Sequence, residues 1–79
     1  MILWHKKSQK YLDKLEKKQQ ERIKKAVRTF YEQGIGDLSK LKGFKDKYRL
    51  RVGDFRILFS HEGSNIYVLK VDSRGDVYK

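Results

Sequence analysis

A chain of 79 residues makes one small domain, with no room for a second core. Twenty Lys and Arg against ten Asp and Glu leave a formal net charge of +10, while 38% hydrophobic residues are too many for a disordered basic tail. The lack of cysteine excludes disulfides, thiolate catalysis and thiolate zinc sites. The longest apolar runs, Met1-Ile2-Leu3-Trp4 and Ile66-Tyr67-Val68-Leu69, fall far below the roughly 18–20 residues of a membrane-spanning helix.

Ile2 to Trp4 reads as a short strand. Lys6, Lys7 and Lys10 follow at once, the reverse of the charged-then-apolar order of a signal peptide, so the expected location is the cytoplasm. Ser8 reads as an N-cap, its hydroxyl placed to accept an orphan backbone N–H. Tyr11, Leu12 and Leu15 recur at helical spacing, with Lys10, Lys14 and Lys17 on another face. A second helix carries the apolar stripe Ile23, Ala26, Val27, Phe30 and Tyr31. The boundary between the two is expected in the polar stretch Lys17 to Gln20, and Gly34 and Gly36 end the second helix.

After Gly43 the apolar period changes from 3.6 to 2. Tyr48, Leu50 and Val52 alternate with Arg49 and Arg51; Gly53-Asp54 is a turn; Phe55, Ile57 and Phe59 alternate with Arg56, Leu58 and Ser60. A second turn, His61 to Asn65, precedes the strand Ile66 to Val71, which is apolar on both faces and suits a central or helix-covered position. The expectation is an α+β fold: two N-terminal amphipathic helices on an antiparallel sheet of three long strands, plus the short N-terminal strand.

Charge adds a functional direction. Residues 1–47 hold 14 basic and 6 acidic side chains, residues 48–79 hold 6 and 4. Such a bias either keeps a helical surface soluble or meets a polyanion, because clustered Lys and Arg release counterions from a phosphate backbone. If the helices cover the face bearing Tyr48, Leu50, Val52, Phe55, Ile57 and Phe59, the opposite face carries Arg49, Arg51 and Arg56 on adjacent strands. Like charges so close are destabilising. Either carboxylates such as Asp54, Glu62, Asp72 or Asp76 pair with them, or the face binds an anion.

The segment Lys40-Leu41-Lys42-Gly43, the block Tyr48-Arg49-Leu50-Arg51-Val52-Gly53-Asp54-Phe55-Arg56-Ile57-Leu58-Phe59 and the ending Ile66 to Lys79, with Arg74-Gly75-Asp76-Val77-Tyr78, resemble the RelE/ParE toxin superfamily. The resemblance covers nearly the whole chain and implies a single RelE-like domain over residues 1–79. It implies a toxin of a type II toxin–antitoxin pair, with a cognate acidic antitoxin as partner. RelE-like members enter the ribosomal A site and cut the bound mRNA without a metal or other cofactor. ParE-like members poison DNA gyrase and need no nuclease residues. A catalytically weak RNA-binding module is a third option; the leading expectation is the RelE-type endoribonuclease.

By position, the resemblance places the RNA-cleaving set on Arg49, Arg51, Arg56, Arg74 and Tyr78. The basic bias of the chain adds an RNA- or ribosome-binding set at Lys10, Lys14, Lys17, Lys42, Lys45 and Lys47, the first three being either a docking surface for ribosomal RNA or a solvated helix face. In-line attack of a 2′-hydroxyl on the adjacent phosphorus needs a proton acceptor, cations for the phosphorane and a donor for the leaving 5′-oxygen. Arg56 is expected to stabilise the phosphate charge, Arg74 to stand near the leaving oxygen, and Tyr78 to stack on or orient a base. The best-known RelE pattern has lysines where this chain has Arg49 and Arg51, and arginine does not deprotonate, so the general base is left open. His61 carries an imidazole, the side chain most often used as a general base, and is either that base or a solvent-exposed turn residue. An antitoxin helix is expected to fill the groove that a further C-terminal helix occupies in several relatives.

Overall fold

The computed structural model describes residues 1–73; Arg74 and Tyr78 lie outside the described residues. The elements in chain order are β1 (Ile2–Trp4), α1 (Lys6–Asp13), α2 (Lys17–Gln33), β2 (Asp37–Lys40), β3 (Lys47–Val52), β4 (Phe55–Glu62) and β5 (Asn65–Ser73). The strands form one sheet in the order β1-β5-β4-β3-β2. β1 runs parallel to β5, and the other neighbouring pairs are antiparallel. The α+β class stands as expected, but the sheet has five strands. β2 carries no sequence signal because all four of its residues are exposed at the sheet edge, so no apolar alternation marks it.

Both helices pack on one face. Leu12 of α1 and Ile23 and Val27 of α2 meet Leu50, Val52, Phe55, Ile57, Phe59, Ile66, Val68 and Val71 from β3, β4 and β5 in a single buried cluster. Trp4, Leu15, Ala26, Phe30, Tyr31 and Tyr48 pack around it half-buried. Each fully buried Leu, Ile or Phe contributes about 1.5–3 kcal/mol. With no disulfide available, this cluster supplies most of the stability.

The helix boundaries differ from the sequence reading in two places. α1 is capped by His5, whose Nδ1 accepts the Lys7 backbone N–H at 3.2 Å. Ser8 lies inside the helix, 1% exposed, with its hydroxyl 2.7 Å from the His5 carbonyl oxygen and 3.0 Å from that of Val68. It fastens α1 to β5 instead of capping. The break between helices falls at Lys14 to Glu16, so Lys17 to Gln20 form the first turn of α2, where Gln20 donates to the Leu15 carbonyl at 2.8 Å. Gly34 ends α2 in the left-handed conformation, φ 70°.

β5 owes its two-sided apolar pattern to an irregularity. Leu58 pairs with Lys70 but Phe59 pairs with Val68, so Leu69 is an extra residue on β5. The bulge lets Val68 and Val71, three residues apart, both face the helices, while Tyr67 and Leu69 turn to the other face.

The Ser8 contact gives a stability prediction. Val68 O also accepts the His5 N–H at 2.8 Å and stays paired without the hydroxyl. Ser8→Ala is therefore expected to cost about 1 kcal/mol, one net hydrogen bond, and to lower Tm by roughly 4–8 °C in a domain of this size. An unchanged thermal midpoint would show that the Ser8 hydroxyl does not tie α1 to β5.

Candidate nucleic-acid interface

The pleat of β3 and β4 decides which side chains leave the core. Across the two strands, Tyr48 pairs with Phe59, Leu50 with Ile57 and Val52 with Phe55, all toward the helices. The intervening pairs Lys47–Ser60, Arg49–Leu58 and Arg51–Arg56 project to the uncovered face. On β2, Asp37 lies opposite Arg51 and Ser39 opposite Arg49; on β5, Asp72 lies opposite Arg56 and Lys70 opposite Leu58. The open face is thus a grid with Arg49, Arg51 and Arg56 near its centre.

A depression of about 340 Å³ opens among these side chains, lined by Asp37, Ser39, Arg49, Arg51, Asp54 and Arg56 with Gly53 at its rim. A second, of about 210 Å³, is lined by Leu41, Arg49, Arg56, Leu58, Lys70 and Asp72. Arg49 and Arg56 border both, so an extended ligand lying over them spans the two hollows.

The arginines are not equivalent. Arg56 Nε donates to Asp72 Oδ1 at 3.1 Å, and Lys70 Nζ lies 3.9 Å from the other carboxylate oxygen. Among the described residues, Arg49 and Arg51 have no carboxylate within the 4.0 Å of an ion pair. Of the two outcomes open to the sequence, Arg56 therefore takes the carboxylate partner, and Arg49 and Arg51 have none among the described residues; Asp76 lies outside them. Arg51 and Arg56 stand directly opposite each other, where the cross-strand Cβ separation is about 4.5–5.5 Å. Drawing Arg56 toward β5 relieves part of that repulsion. The Arg56–Asp72 pair is about one-third exposed on both sides, so it adds little to stability.

A further cation comes from α2. The Arg22 guanidinium lies over Gly53 in the β3–β4 turn, so close that a β-carbon there would fall 2.6 Å from its terminal nitrogen. A β-carbon there would displace the flexible end of Arg22, and it is the positive φ of 59° that favours glycine at position 53. Sequence reasoning missed Arg22 because its spacing marks only a solvated helix face.

The remaining candidates are dispersed. Lys47 shares the open face with the arginines, and Lys42 and Lys45 are exposed in the connection between β2 and β3. Lys10, Lys14 and Lys17 do not form one helical stripe: Lys10 is on α1, Lys14 is its C-cap and Lys17 begins α2. All three are exposed on the helical side, across the sheet from the arginines. His61 is exposed but sits on the helix-facing side of β4, its ring 6.5 Å from that of Phe30 and 6.4 Å from that of Tyr48. The structure does not bring it to the arginines. Toward β1 the open face turns apolar, where Leu3, Tyr67 and Leu69 border a hollow of about 340 Å³ with Ser60 and Glu62. Among the described residues, no helix is long and apolar enough to cross a membrane.

Known proteins bear on this geometry. The sequence model of the ParE toxin of the type II toxin–antitoxin system parDE matches residues 2–78. No relative is found among curated protein sequences. The fold is similar to that of the RelB–RelE antitoxin–toxin complex from Methanococcus jannaschii, with 27% identity, TM-score 0.77 and coverage of 98% of this chain and 95% of that one. It is similar to the archaeal RelE–RelB complex from Pyrococcus horikoshii OT3, with 29% identity, TM-score 0.79 and coverage of 94% and 93%. The isolated E. coli RelE toxin, at 21% identity, shares the fold with TM-score 0.77 over 99% of this chain and 89% of that one. A match along almost the entire sequence, joined to two helices laid on one face of this sheet, makes the chain a member of the RelE/ParE toxin superfamily of type II toxin–antitoxin systems, on its RelE-like branch.

Proposed function

We propose that this toxin is a ribosome-dependent endoribonuclease that cuts mRNA in the A site, held inactive by an acidic antitoxin. The observation that carries the reading is the pair Arg49 and Arg51, exposed on the open face with no carboxylate partner among the described residues, beside Arg56. Two bare guanidiniums on one strand cost repulsion in the free protein and gain charge-assisted hydrogen bonds once phosphate sits between them.

In this reading the RNA backbone lies over the two hollows. Arg49 and Arg51 hold the phosphates flanking the scissile bond. The 2′-oxygen attacks phosphorus as its O–H bond breaks; the P–O5′ bond breaks in turn and the departing 5′-oxygen takes a proton from water, leaving a 2′,3′-cyclic phosphate and a 5′-hydroxyl. Arg56, whose terminal amino groups donate no hydrogen bond to another described residue, faces the phosphorane oxygens. The carboxylates in the depression are Asp37 and Asp54, and the 2′ proton passes to one of them or to a group of the ribosome or the RNA. Arg74 and Tyr78 are assigned the leaving oxygen and a stacked base. The antitoxin reading rests on the two archaeal structures, which are RelE–RelB complexes. An acidic, amphipathic segment matches an open face that is cationic at β3 and β4 and apolar at β1 and β5.

The match to the ParE sequence model favours a second reading, gyrase inhibition without RNA cleavage. Inducing the chain in cells and mapping a translated message by primer extension separates the two. The expected result is cuts within translated codons that vanish when translation is blocked and fall at least about a hundredfold in Arg49→Ala/Arg51→Ala, the loss of two charge-assisted phosphate contacts. Growth arrest with intact message would instead overturn RNA cleavage and point to gyrase or another target.

Asp72 offers a finer check. Asp72→Asn removes the carboxylate that competes for Arg56 and should tighten binding of a single-stranded oligoribonucleotide about two- to fivefold, the 0.2–1 kcal/mol of an exposed ion pair. Weaker binding by this variant would mean that Asp72 positions Arg56 for RNA and does not compete with it.

A further inference from the structure

Among the described residues, Phe44 is the one phenylalanine, tyrosine or tryptophan that is exposed. It lies in the connection between β2 and β3, 49% exposed and outside the buried cluster. Its surroundings are cationic. Lys42 and Lys45 flank it in the same loop, and Lys47 Nζ stands 4.5 Å from the ring centroid. A shallow, open depression of about 390 Å³ lies along the loop, bordered by Phe44, Lys42 and Lys45. The loop is also pinned at its base, where Leu41 N–H donates to Lys47 O at 3.1 Å and His61 N–H to Asp46 O at 2.8 Å. An exposed phenyl ring held by such a loop is pre-organised for a partner.

Position along β3 says which partner. Lys47, Arg49 and Arg51 occupy alternate positions on the open face, so their Cα atoms are spaced by about 6–7 Å along the strand. They form a line of three cations that begins at the phosphate-binding arginines and runs to the base of the loop carrying Phe44. Lysine and arginine in a row track a polyanionic backbone; a phenyl ring beside that row takes the π-face of a base. Lys47 lies over the ring in a cation–π contact, and the half-exposed side chain retains surface on which a base can stack. An acidic peptide would satisfy the lysines but has no equal use for the aromatic face at the end of a phosphate track.

We propose that Phe44 is a base-stacking platform for single-stranded RNA, one that fixes how far the strand extends along β3 beyond the bond to be cut. The inference rests on reading the open face as an RNA site and deepens it: the arginines hold phosphates, whereas Phe44 holds a base several ångströms upstream or downstream and so sets the register of the strand over Arg56.

The test uses the full chain, freed of antitoxin, and a short unstructured oligoribonucleotide carrying 2-aminopurine at successive positions. One position is expected to be quenched on binding. Phe44→Leu should weaken affinity about five- to tenfold and abolish that quenching, and Phe44→Trp should restore both, because every base stacks on an aromatic face. Phe44 lies outside the core, so an unchanged thermal midpoint in both variants certifies the fold. If Phe44→Leu binds and quenches like the parent while Arg49→Gln/Arg51→Gln loses binding, the stacking role is wrong and the RNA site stands. If the parent itself fails to bind the oligoribonucleotide, both fall. Loss of antitoxin affinity in Phe44→Leu, with RNA affinity intact, would overturn the inference in favour of a protein contact.

Discussion

Alternation along β3 and β4 sends Leu50, Val52, Phe55, Ile57 and Phe59 beneath the helices and, by the same pleat, sends Arg49, Arg51 and Arg56 out through the other side of the sheet. Neither half can be changed alone. A one-residue slip between these strands would bury guanidiniums and expose phenyl rings, so the packing of the core fixes the register of the cations. α1 and α2 cover one sheet face only, and the uncovered face is where charge is tolerated. The candidate site is therefore a consequence of the core, built on rigid strands and not on loops.

That arrangement has an energetic cost. Arg51 faces Arg56 across two strands, Arg22 presses on the turn joining them, and the chain carries a net charge of +10. Asp72 offsets one of these cations through Arg56 and leaves Arg49 and Arg51 without a carboxylate among the described residues. A small domain without disulfides has little stability to spare. Binding a polyanion relieves the repulsion and stabilises the folded state by mass action, whether the polyanion is RNA or an acidic antitoxin segment. In the proposed function one surface would serve both partners in competition, which is a simple physical basis for inhibition.

Much of this was legible in the sequence because period-2 alternation is a strong signal where one face is buried. β3, β4 and their arginines were readable from Tyr48 to Phe59, and so was the helical stripe from Ile23 to Tyr31. What escaped was whatever lacked a buried face or depended on distant strands. β2 is exposed throughout, so Asp37, which the fold sets opposite Arg51, was invisible as a neighbour of the cluster. Ser8 has the residue type of a cap, and only the arrival of β5 beside α1 makes it a tertiary tie. Lys10, Lys14 and Lys17 fit one helical face until the break at Lys14 to Glu16 divides them. His61 follows Phe59 by two residues, so the alternation itself puts it on the helix side, away from the arginines. Phe44 sits in a loop with no periodicity, and its meaning comes from the line of cations beside it.

The central claim is that bare arginines on the open sheet face bind a phosphate backbone. The most direct measurement is the salt dependence of binding to a single-stranded oligoribonucleotide, for the parent chain and for Arg49→Gln/Arg51→Gln. Each phosphate contact releases condensed counterions, so the slope of log K against log salt should become shallower by roughly 0.7 for each arginine removed, alongside a loss of affinity. The same slope and affinity in the double variant would contradict the claim and leave the cluster without a phosphate partner.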